Sequence, residues 1–168
     1  MKTIRVICAV LTLTLALLGC IRSPSFPQPR NDGDDWKGGW SNIVADNHMR
    51  QTFASVKESV QAIEVAVLTV NTNRPGASDM LTLTLLDERG TTLSSVSNRV
   101  SCGQDGWIEF VLPQEVKVER GQMLAIELSD TGQVLFGWKY SGDQYPNGER
   151  VTFKDKSDSR TDWLFRVK

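Results

Sequence analysis

The sequence predicts an all-β domain, an antiparallel β-sandwich of about eight or nine strands. Short segments in which apolar and polar residues alternate recur along the chain, and each fits a strand with one buried face. Turn signals rich in Gly, Asp and Pro separate these segments at intervals of about 8–12 residues, which is typical of sandwiches and barrels. No strand alternates with a helix, so a parallel α/β sheet is not expected.

The first strands lie in a segment that also carries a helical signal. We interpret Met49–Ala54 and Val60–Asn71 as strands joined by a short turn, because β-branched residues are enriched after Ser59. The same region repeats apolar residues at spacings of four and three, the pattern of an amphipathic helix, at Met49, Phe53, Val56, Val60, Ile63 and Val67. A helix over residues 49–66 is therefore the alternative.

The remaining strands follow one another with turns between them. Met80–Asp87 and Thr91–Val100 form a predicted hairpin around Gly90, and Trp107–Leu112 is a strand that Pro113 ends. Further strands are predicted at residues 116–119, Met123–Leu128, residues 134–140, Arg150–Lys154 and Trp163–Val167.

The N-terminus carries a secretory signal that ends in a lipid-attachment motif. Lys2 and Arg5 precede an apolar run of 13 residues, Val6–Leu18, which suits a signal peptide and is shorter than the roughly 20 residues of a membrane-spanning helix. The segment Leu17-Leu18-Gly19-Cys20 resembles the lipobox of bacterial lipoproteins. A plain secretory signal cut near Ser23, or a short anchor helix, is the alternative.

The lipobox resemblance implies that residues 1–19 are a signal peptide and that acylated Cys20 begins the mature protein. Two or three chains such as palmitate would hold it to the lipid bilayer, since a single chain binds a membrane only marginally. Ile21, not Asp, follows Cys20, which in a Gram-negative host favours the outer membrane. We therefore expect a membrane-anchored lipoprotein of the bacterial cell envelope.

The mature chain divides into a tether and one domain. Residues 20–35 contain three prolines and no hydrophobic period, which indicates a flexible tether. Residues 36–168 are long enough for one β-sandwich domain with a real core. Loss of the signal removes Lys2 and Arg5 from the 19 basic residues and none of the 20 acidic ones, which leaves 17 against 20 and a net charge of −3. A mildly acidic domain is not expected to bind nucleic acid.

Three cysteines define the redox expectations. Cys8 leaves with the signal and Cys20 is acylated, so Cys102 has no second cysteine for an intramolecular disulfide, even in an oxidising compartment. A small buried residue is the favoured interpretation of Cys102, and a reactive or intermolecular thiol is the alternative.

Several segments resemble a group of bacterial surface domains. They are residues 51–53, 106–107, 118–122, 137–148 and 162–166, and the most specific part is Trp138-x-Tyr140-Ser141-x-Asp143-x-Tyr145. These segments are similar to the choice-of-anchor R domains, β-sandwich modules found beside cell-surface anchors, and the resemblance covers most of residues 51–168. It implies a non-catalytic, jelly-roll-like extracellular module similar in outline to carbohydrate-binding modules.

The aromatic segment between residues 138 and 148 is the predicted ligand site. Flat aromatic side chains offer a large contact area to the apolar faces of sugar rings, and nearby polar groups could bind hydroxyls. The predicted ligand contacts are Tyr145, Trp138, Tyr140, Asp143 and Asn147. Tyr145 is favoured because it lies in a predicted loop, whereas Trp138 is in phase with Val134 and Phe136 and a core position is its alternative. The expected ligand is a glycan or another cell-envelope component, and an envelope protein is the alternative partner.

Two further tryptophans lie at the start of the domain. Trp36 and Trp40 flank Gly38 and Gly39. They either pin the first strand to the sandwich or line an exposed platform, and pinning is the favoured interpretation.

No catalytic or metal-binding pattern stands out, and no enzyme activity or cofactor is predicted. Acidic residues cluster at residues 32–35 and at Asp155, Asp158 and Asp162; solvated loop charge is the favoured interpretation, and a structural Ca²⁺, which needs six to eight oxygens, is the alternative. The single histidine, His48, excludes a multi-histidine zinc site. No Gly-x-Ser-x-Gly nucleophile motif is present.

Overall fold

A computed structural model describes residues 38–43, 49–69, 76–142, 145, 147–152 and 156–168. The predicted signal peptide, Cys20 and the predicted tether lie outside the described residues, as do Trp36 and His48. The described residues form strands, turns and loops and contain no helix. Consequently, none of them belongs to a helix that is long and apolar enough to cross a membrane.

The described residues contain twelve strands in two antiparallel sheets of six strands each, which confirms the predicted all-β sandwich. Sheet A consists of β1 (Gly39–Ile43), β3 (Ser59–Thr69), β6 (Gly106–Lys117), β8 (Phe136–Gly142), β11 (Thr161–Trp163) and β12 (Phe165–Val167). Sheet B consists of β2 (Met49–Ala54), β4 (Ser78–Asp87), β5 (Thr92–Ser101), β7 (Met123–Asp130), β9 (Arg150–Thr152) and β10 (Lys156–Asp158). The number of strands exceeds the prediction because four three-residue strands, β9 to β12, follow the eight longer ones.

The eight longer strands have jelly-roll topology. Four antiparallel pairs are nested in the sequence: β1 with β8, β2 with β7, β3 with β6, and β4 with β5. The strand order is therefore β1-β8-β3-β6 in sheet A and β2-β7-β4-β5 in sheet B. Among these eight strands, the chain crosses between the sheets at every connection except that between β4 and β5, as in a double-sheet jelly roll.

The hydrophobic core lies between the two sheets. In β2 and β4, buried residues largely alternate with half-buried ones, as expected for strands with one face on a core. Fully buried side chains come from both sheets, among them Ile63, Val65, Phe110, Phe136, Leu81, Leu83, Leu85 and Leu124. Complete burial of a side chain of this size contributes about 1.5–3 kcal/mol, so these two facing layers are the main source of stability.

The segment with two sequence interpretations forms strands, and its helical alternative is wrong. β2 matches the predicted Met49–Ala54, and β3 begins at Ser59, one residue before its predicted start. β3 pairs with β6 on one side and with β8 and β12 on the other. Its position in the middle of sheet A explains why its small residues Ala62 and Ala66 are buried as well as its core-facing ones, and why it lacks strict alternation.

β6 continues through Pro113, where the sequence predicts two separate strands. The register with β3 shifts between Val60 and Ala62, which pair with Val116 and Val111, so the extra residues of β6 form a bulge. Proline has no N–H to donate, but β6 pairs only with β3 and lies at the edge of sheet A, where proline is tolerated. One bent edge strand therefore replaces the two predicted ones.

The last strands form a V instead of the single strand predicted at Trp163–Val167. β3 and β8 pair directly over Val67–Thr69 and Phe136–Trp138, and farther along β11 pairs with β8 while β12 pairs with β3. The chain reverses at Leu164, whose N–H donates to the carbonyl of Lys139 (2.9 Å) and whose carbonyl accepts from the N–H of Ala66 (3.0 Å). Residues 161–167, which we call the C-terminal V, therefore fill the opening between β3 and β8.

Candidate functional site

Trp138, one of the predicted ligand contacts, is in the core. Its side chain is 0% exposed and stacks on Trp163 with ring centroids 5.1 Å apart and planes 11° from parallel. Its indole N–H donates to the carbonyl of Leu164 at 3.1 Å, which satisfies the one polar group that burial would otherwise leave unpaired. Trp138 therefore holds the apex of the C-terminal V against β8.

Tyr145, the favoured ligand contact in the sequence, is anchored to the same V. Its ring stacks on Phe165 at 4.3 Å between centroids, and its hydroxyl donates to the carbonyl of Phe165 at 2.5 Å. Burial, and secondly the negative charge of Asp162, raises the pKa of Tyr145 above its ordinary value. The Tyr145 hydroxyl is therefore un-ionised, and it donates its hydrogen bond to another group of the protein.

The other predicted contacts are not brought together into one exposed site. Tyr140 is half-buried, with the guanidinium carbon of Arg150 4.2 Å from its ring centroid. Asn147 is exposed, whereas Asp143 lies outside the described residues. Of the four described positions, Trp138 is buried, Tyr140 and Tyr145 are half-buried, and only Asn147 is exposed.

A buried pair of polar side chains holds this loop in place. The Gln51 amide on β2 donates to Asp162 (2.7 Å) and accepts from the N–H of Trp163 (2.8 Å). The second carboxylate oxygen of Asp162 accepts from the N–H of Tyr145 at 2.7 Å. Gln51 and Asp162 are almost fully buried. Their hydrogen bonds therefore join sheet B, the C-terminal V and the loop at Tyr145 out of contact with water.

The exposed aromatic surface lies instead on the outer face of sheet A. Trp40 is 41% exposed; a Cβ built on Gly137 would lie 2.9 Å from its Cε3 atom and 3.3 Å from the Cδ1 atom of Leu68. The indole therefore rests on the sheet surface over a residue that has no side chain. Backbone pairing pins β1 to β8, whereas the ring of Trp40 remains on the surface. Pinning of the first strand and an exposed aromatic surface, the two interpretations of Trp40, thus each describe part of its environment.

A second tryptophan lies in the same row of the sheet. Trp40 pairs with Lys139, Lys139 and Ala66 both bond to the backbone of Leu164, and Ala66 pairs with Trp107. Residues opposite each other on neighbouring strands share a face. Four strand spacings of about 4.8 Å place the two tryptophans roughly 19 Å apart. We call this row, with the adjacent Leu68, the tryptophan face.

Charged side chains border the Trp107 end of the tryptophan face. The guanidinium carbon of Arg166 lies 3.7 Å from the Trp107 ring centroid, and Arg166 pairs with Glu64 at 3.4 Å. Lys168 bonds to Glu64 (2.7 Å) and Glu109 (3.0 Å). The bond from Lys168 is the largest of several effects that hold the pKa of Glu64 below its ordinary value, so the carboxylate stays ionised and the charges here are balanced.

The acidic and cysteine candidates occupy separate positions. Asp158 pairs with Arg150 at 3.1 Å, whereas Asp162 belongs to the buried network, and Asp155 lies outside the described residues. No group of three His, Cys, Asp or Glu residues that could hold a metal occurs within the described ranges. Cys102 is half-buried and packs on the core.

The sequence does not indicate that Trp40 and Trp107 share one face of a sheet. For Trp40, the sequence favours pinning of the first strand and leaves an exposed platform as the alternative, and no local pattern indicates that Trp107 lies in the same row. That relation depends on the register of β1, β8, β3 and β6, which only the folded sheet provides. No model of a known protein family matches this chain, and a search of curated proteins found no match either.

Proposed function

We propose that this protein is a lipoprotein of the bacterial cell envelope, anchored through acylated Cys20, whose β-sandwich is a non-catalytic binding module for a glycan or another envelope component. The lipobox resemblance supports the anchor. The observation that carries the binding role is the tryptophan face, where the indole of Trp40 is exposed and that of Trp107 is half-buried under the Arg166 guanidinium.

The shape of the tryptophan face favours a saccharide. Ala66 and Gly137 are small residues of this face, the half-buried Lys139 and Leu164 complete the row between the two tryptophans, and Trp40 lies against the sheet. Aromatic rings that lie flat on a surface present their faces to the apolar faces of sugar rings. The row runs across the strands, so an extended saccharide would contact both tryptophans along its length.

Binding is tested with the purified full-length protein in detergent on an array of envelope and cell-wall glycans. We expect Trp40→Ala and Trp107→Ala each to weaken binding about five- to tenfold, the equivalent of about 1–1.4 kcal/mol for one aromatic contact. Leu93→Ala is the matched control, since Leu93 is 36% exposed on β5 of the other sheet. If all three variants bind as tightly as the wild type, the tryptophan face is not the binding site.

A role in assembly with another envelope protein is the second candidate. Val111 is 62% exposed and pairs with Ala62 on the same face of sheet A, beyond the charged pair Glu64 and Glu109. It is therefore a separate apolar contact that a saccharide on the tryptophan face does not need. Crosslinking from position 111 in intact cells distinguishes the two. A single dominant protein adduct, together with no saccharide binding on the array, would favour assembly.

A further inference from the structure

A polar cleft opens beside the β9–β10 hairpin at the edge of sheet B. Its volume is about 430 Å³, and Arg150, Lys156, Arg160 and Asp158 line it together with three hydroxyl side chains. The lining therefore carries three positive charges and one negative charge. The Glu149 carboxylate accepts from the hydroxyl of the lining residue Ser157 at 2.8 Å.

Arg150 is the fixed member of this group. It is 9% exposed, and its guanidinium carbon lies 4.2 Å from the ring centroid of Tyr140 and 4.9 Å from that of Trp163. The two rings set the plane of the guanidinium before any ligand arrives, which lowers the entropy lost on binding.

Arg150 retains unused hydrogen-bond donors. One Nη atom donates to Asp158 at 3.1 Å, and the buried Nε has no acceptor among the described residues. A buried donor without a partner is costly. Because the Nε atom is closed to solvent, a ligand in the cleft would contact the Nη end of the guanidinium, and its negative charge would offset part of this cost.

The charge of Asp158 is largely taken up within the hairpin. Its carboxylate accepts from the N–H of Arg160 (2.9 Å) and from the Thr161 hydroxyl (3.0 Å) in addition to Arg150. The backbone bond from Arg160 is the largest of the effects that hold the pKa of Asp158 below its ordinary value. Asp158 thus acts as an internal counter-ion that orients Arg150, and it also pairs with the 89% exposed side chain of Arg160, whose Nε lies 3.3 Å from the Oδ1 atom of Asp158. Lys156 and Arg160 lie at the rim of the cleft.

We propose that this cleft binds an oxyanion group, a phosphate, sulfate or carboxylate carried by a ligand, with Arg150 as the buried anchor and Lys156 and Arg160 as the rim. Planar guanidinium groups match the geometry of such oxyanions, and lysine adds an adaptable point charge. The cleft is on the hairpin of sheet B and the tryptophan face is on sheet A, so the proposal does not depend on the saccharide role of that face.

The test is isothermal titration of the full-length protein in detergent with sodium phosphate, sodium sulfate and sodium glucuronate, and with glucose as the neutral probe. We expect saturable binding of at least one anion that weakens as sodium chloride rises, and no binding of glucose at this site. The preferred anion identifies whether a phosphate, a sulfate or a carboxylate is the natural group.

Rim variants connect the binding to the cleft without disturbing the core. Lys156→Gln with Arg160→Gln should weaken anion binding at least fivefold, whereas Arg89→Gln with Arg99→Gln, which removes the same charge near the far edge of sheet B, should leave it unchanged. Arg150→Lys, provided that its thermal unfolding resembles that of the wild type, should weaken binding further. The proposal fails if none of the three anions binds saturably, or if the rim variant binds as tightly as the wild type.

Discussion

Gln51 and Asp162 show how single buried polar side chains fix the surroundings of a loop. Each side chain has its acceptors and donors matched: Asp162 accepts from Gln51 and from the N–H of Tyr145, and Gln51 accepts from the N–H of Trp163. A buried group that loses such a partner retains its full desolvation cost. The orientation of the loop at Tyr145 therefore depends on one carboxylate.

Replacement of this carboxylate by an amide should destabilise the protein. In Asp162→Asn, one oxygen becomes an NH₂ group that faces either the Gln51 amide donor or the N–H of Tyr145. We expect the free energy of unfolding to fall by about 1–3 kcal/mol, as measured by urea denaturation. Glu88→Gln, an exposed substitution in the β4–β5 turn, is the control with no expected change; a loss of the same size in both variants would contradict the role of the network.

Asp79, on β4 of sheet B, is a second buried carboxylate that holds a loop through hydrogen bonds. Burial of this carboxyl opposes its ionisation, but a hydrogen bond from the Thr131 hydroxyl and bonds from the N–H groups of Val134, Met80 and Gln133 outweigh burial and lower its pKa. These donors shape the connection between β7 and β8. The ionised form of Asp79 is therefore the one that the fold stabilises.

The lowered pKa of Asp79 predicts an acid-dependent loss of stability. A group whose pKa is lower in the folded state stabilises the fold above its ordinary pKa of 3.8, and this contribution is lost as the pH falls through the folded pKa. Asp79→Asn should be less stable than the wild type at pH 7 and should show a shallower decline between about pH 5 and pH 2. Denaturant titrations across this range measure both effects, and parallel pH profiles for the two proteins would disprove the assignment.

For single residues, the sequence identifies some that face the core, but it does not identify the tryptophans of the tryptophan face. The spacing of Phe136 and Trp138 correctly predicts one face of β8, and Trp138 is in the core. Tyr145 lies in a loop, where sequence position favours exposure, yet its ring and hydroxyl bind Phe165, which is twenty residues away. The exposure of Trp40 and its relation to Trp107 depend on four strands in register, which no local pattern encodes.

The C-terminal V is the element on which sheet A most depends. It carries Trp163 and Phe165, both 0% exposed, and its backbone occupies the opening between β3 and β8. Phe165 contacts Phe53 of sheet B at 4.8 Å and Tyr145 at 4.3 Å between ring centroids. This short segment therefore joins both sheets and the loop.

Truncation of Phe165 should be severe. Phe165→Ala leaves a cavity beside two aromatic neighbours, Phe53 and Tyr145, and we expect a loss of about 3–5 kcal/mol in the free energy of unfolding, as measured by urea or thermal denaturation. Val111→Ala is the control, because its side chain is 62% exposed on an edge strand and its loss should cost less than about 0.5 kcal/mol. Similar small losses in both variants would show that the V is dispensable.

Elements whose burial alternates were predictable, whereas those that depend on distant partners were not. β2 has the predicted bounds, β4 begins two residues before its predicted start and ends where predicted, and β5 is shifted by one residue at each end, because alternation and the turn at Gly90 are local properties. β6 continues through Pro113 only because it is an edge strand, and the reversal at Leu164 requires β3 and β8 on its two sides. In both cases the pairing of strands far apart in the sequence overrides the local signal.

The jelly roll as a whole consists of nested long-range pairs, and this topology predicts slow folding. β1 pairs with β8 across nearly the whole domain, and among the eight longer strands only the β4–β5 hairpin is local. Loops between distant strands must close before their contacts form, which places folding in the range of milliseconds to seconds. Stopped-flow refolding monitored by tryptophan fluorescence should give a main phase in that range, and a main phase of microseconds would contradict the nested pairing.

The position of the domain relative to the membrane depends on the proposed anchor, which gives the last prediction. Gly39, the first residue of β1, follows Cys20 by nineteen positions, so the start of β1 lies at most about 65 Å from the lipid-bearing residue whatever conformation the intervening chain takes. Cys20→Ala should move the folded protein from the membrane fraction to the soluble fraction, because the acyl chains are the proposed membrane contact. Cys102→Ala should leave it in the membrane fraction. Mass spectrometry of the wild type should find an acylated N-terminal Cys20; an unmodified thiol there, or an intact leader, would overturn both the anchor and the proposed envelope location.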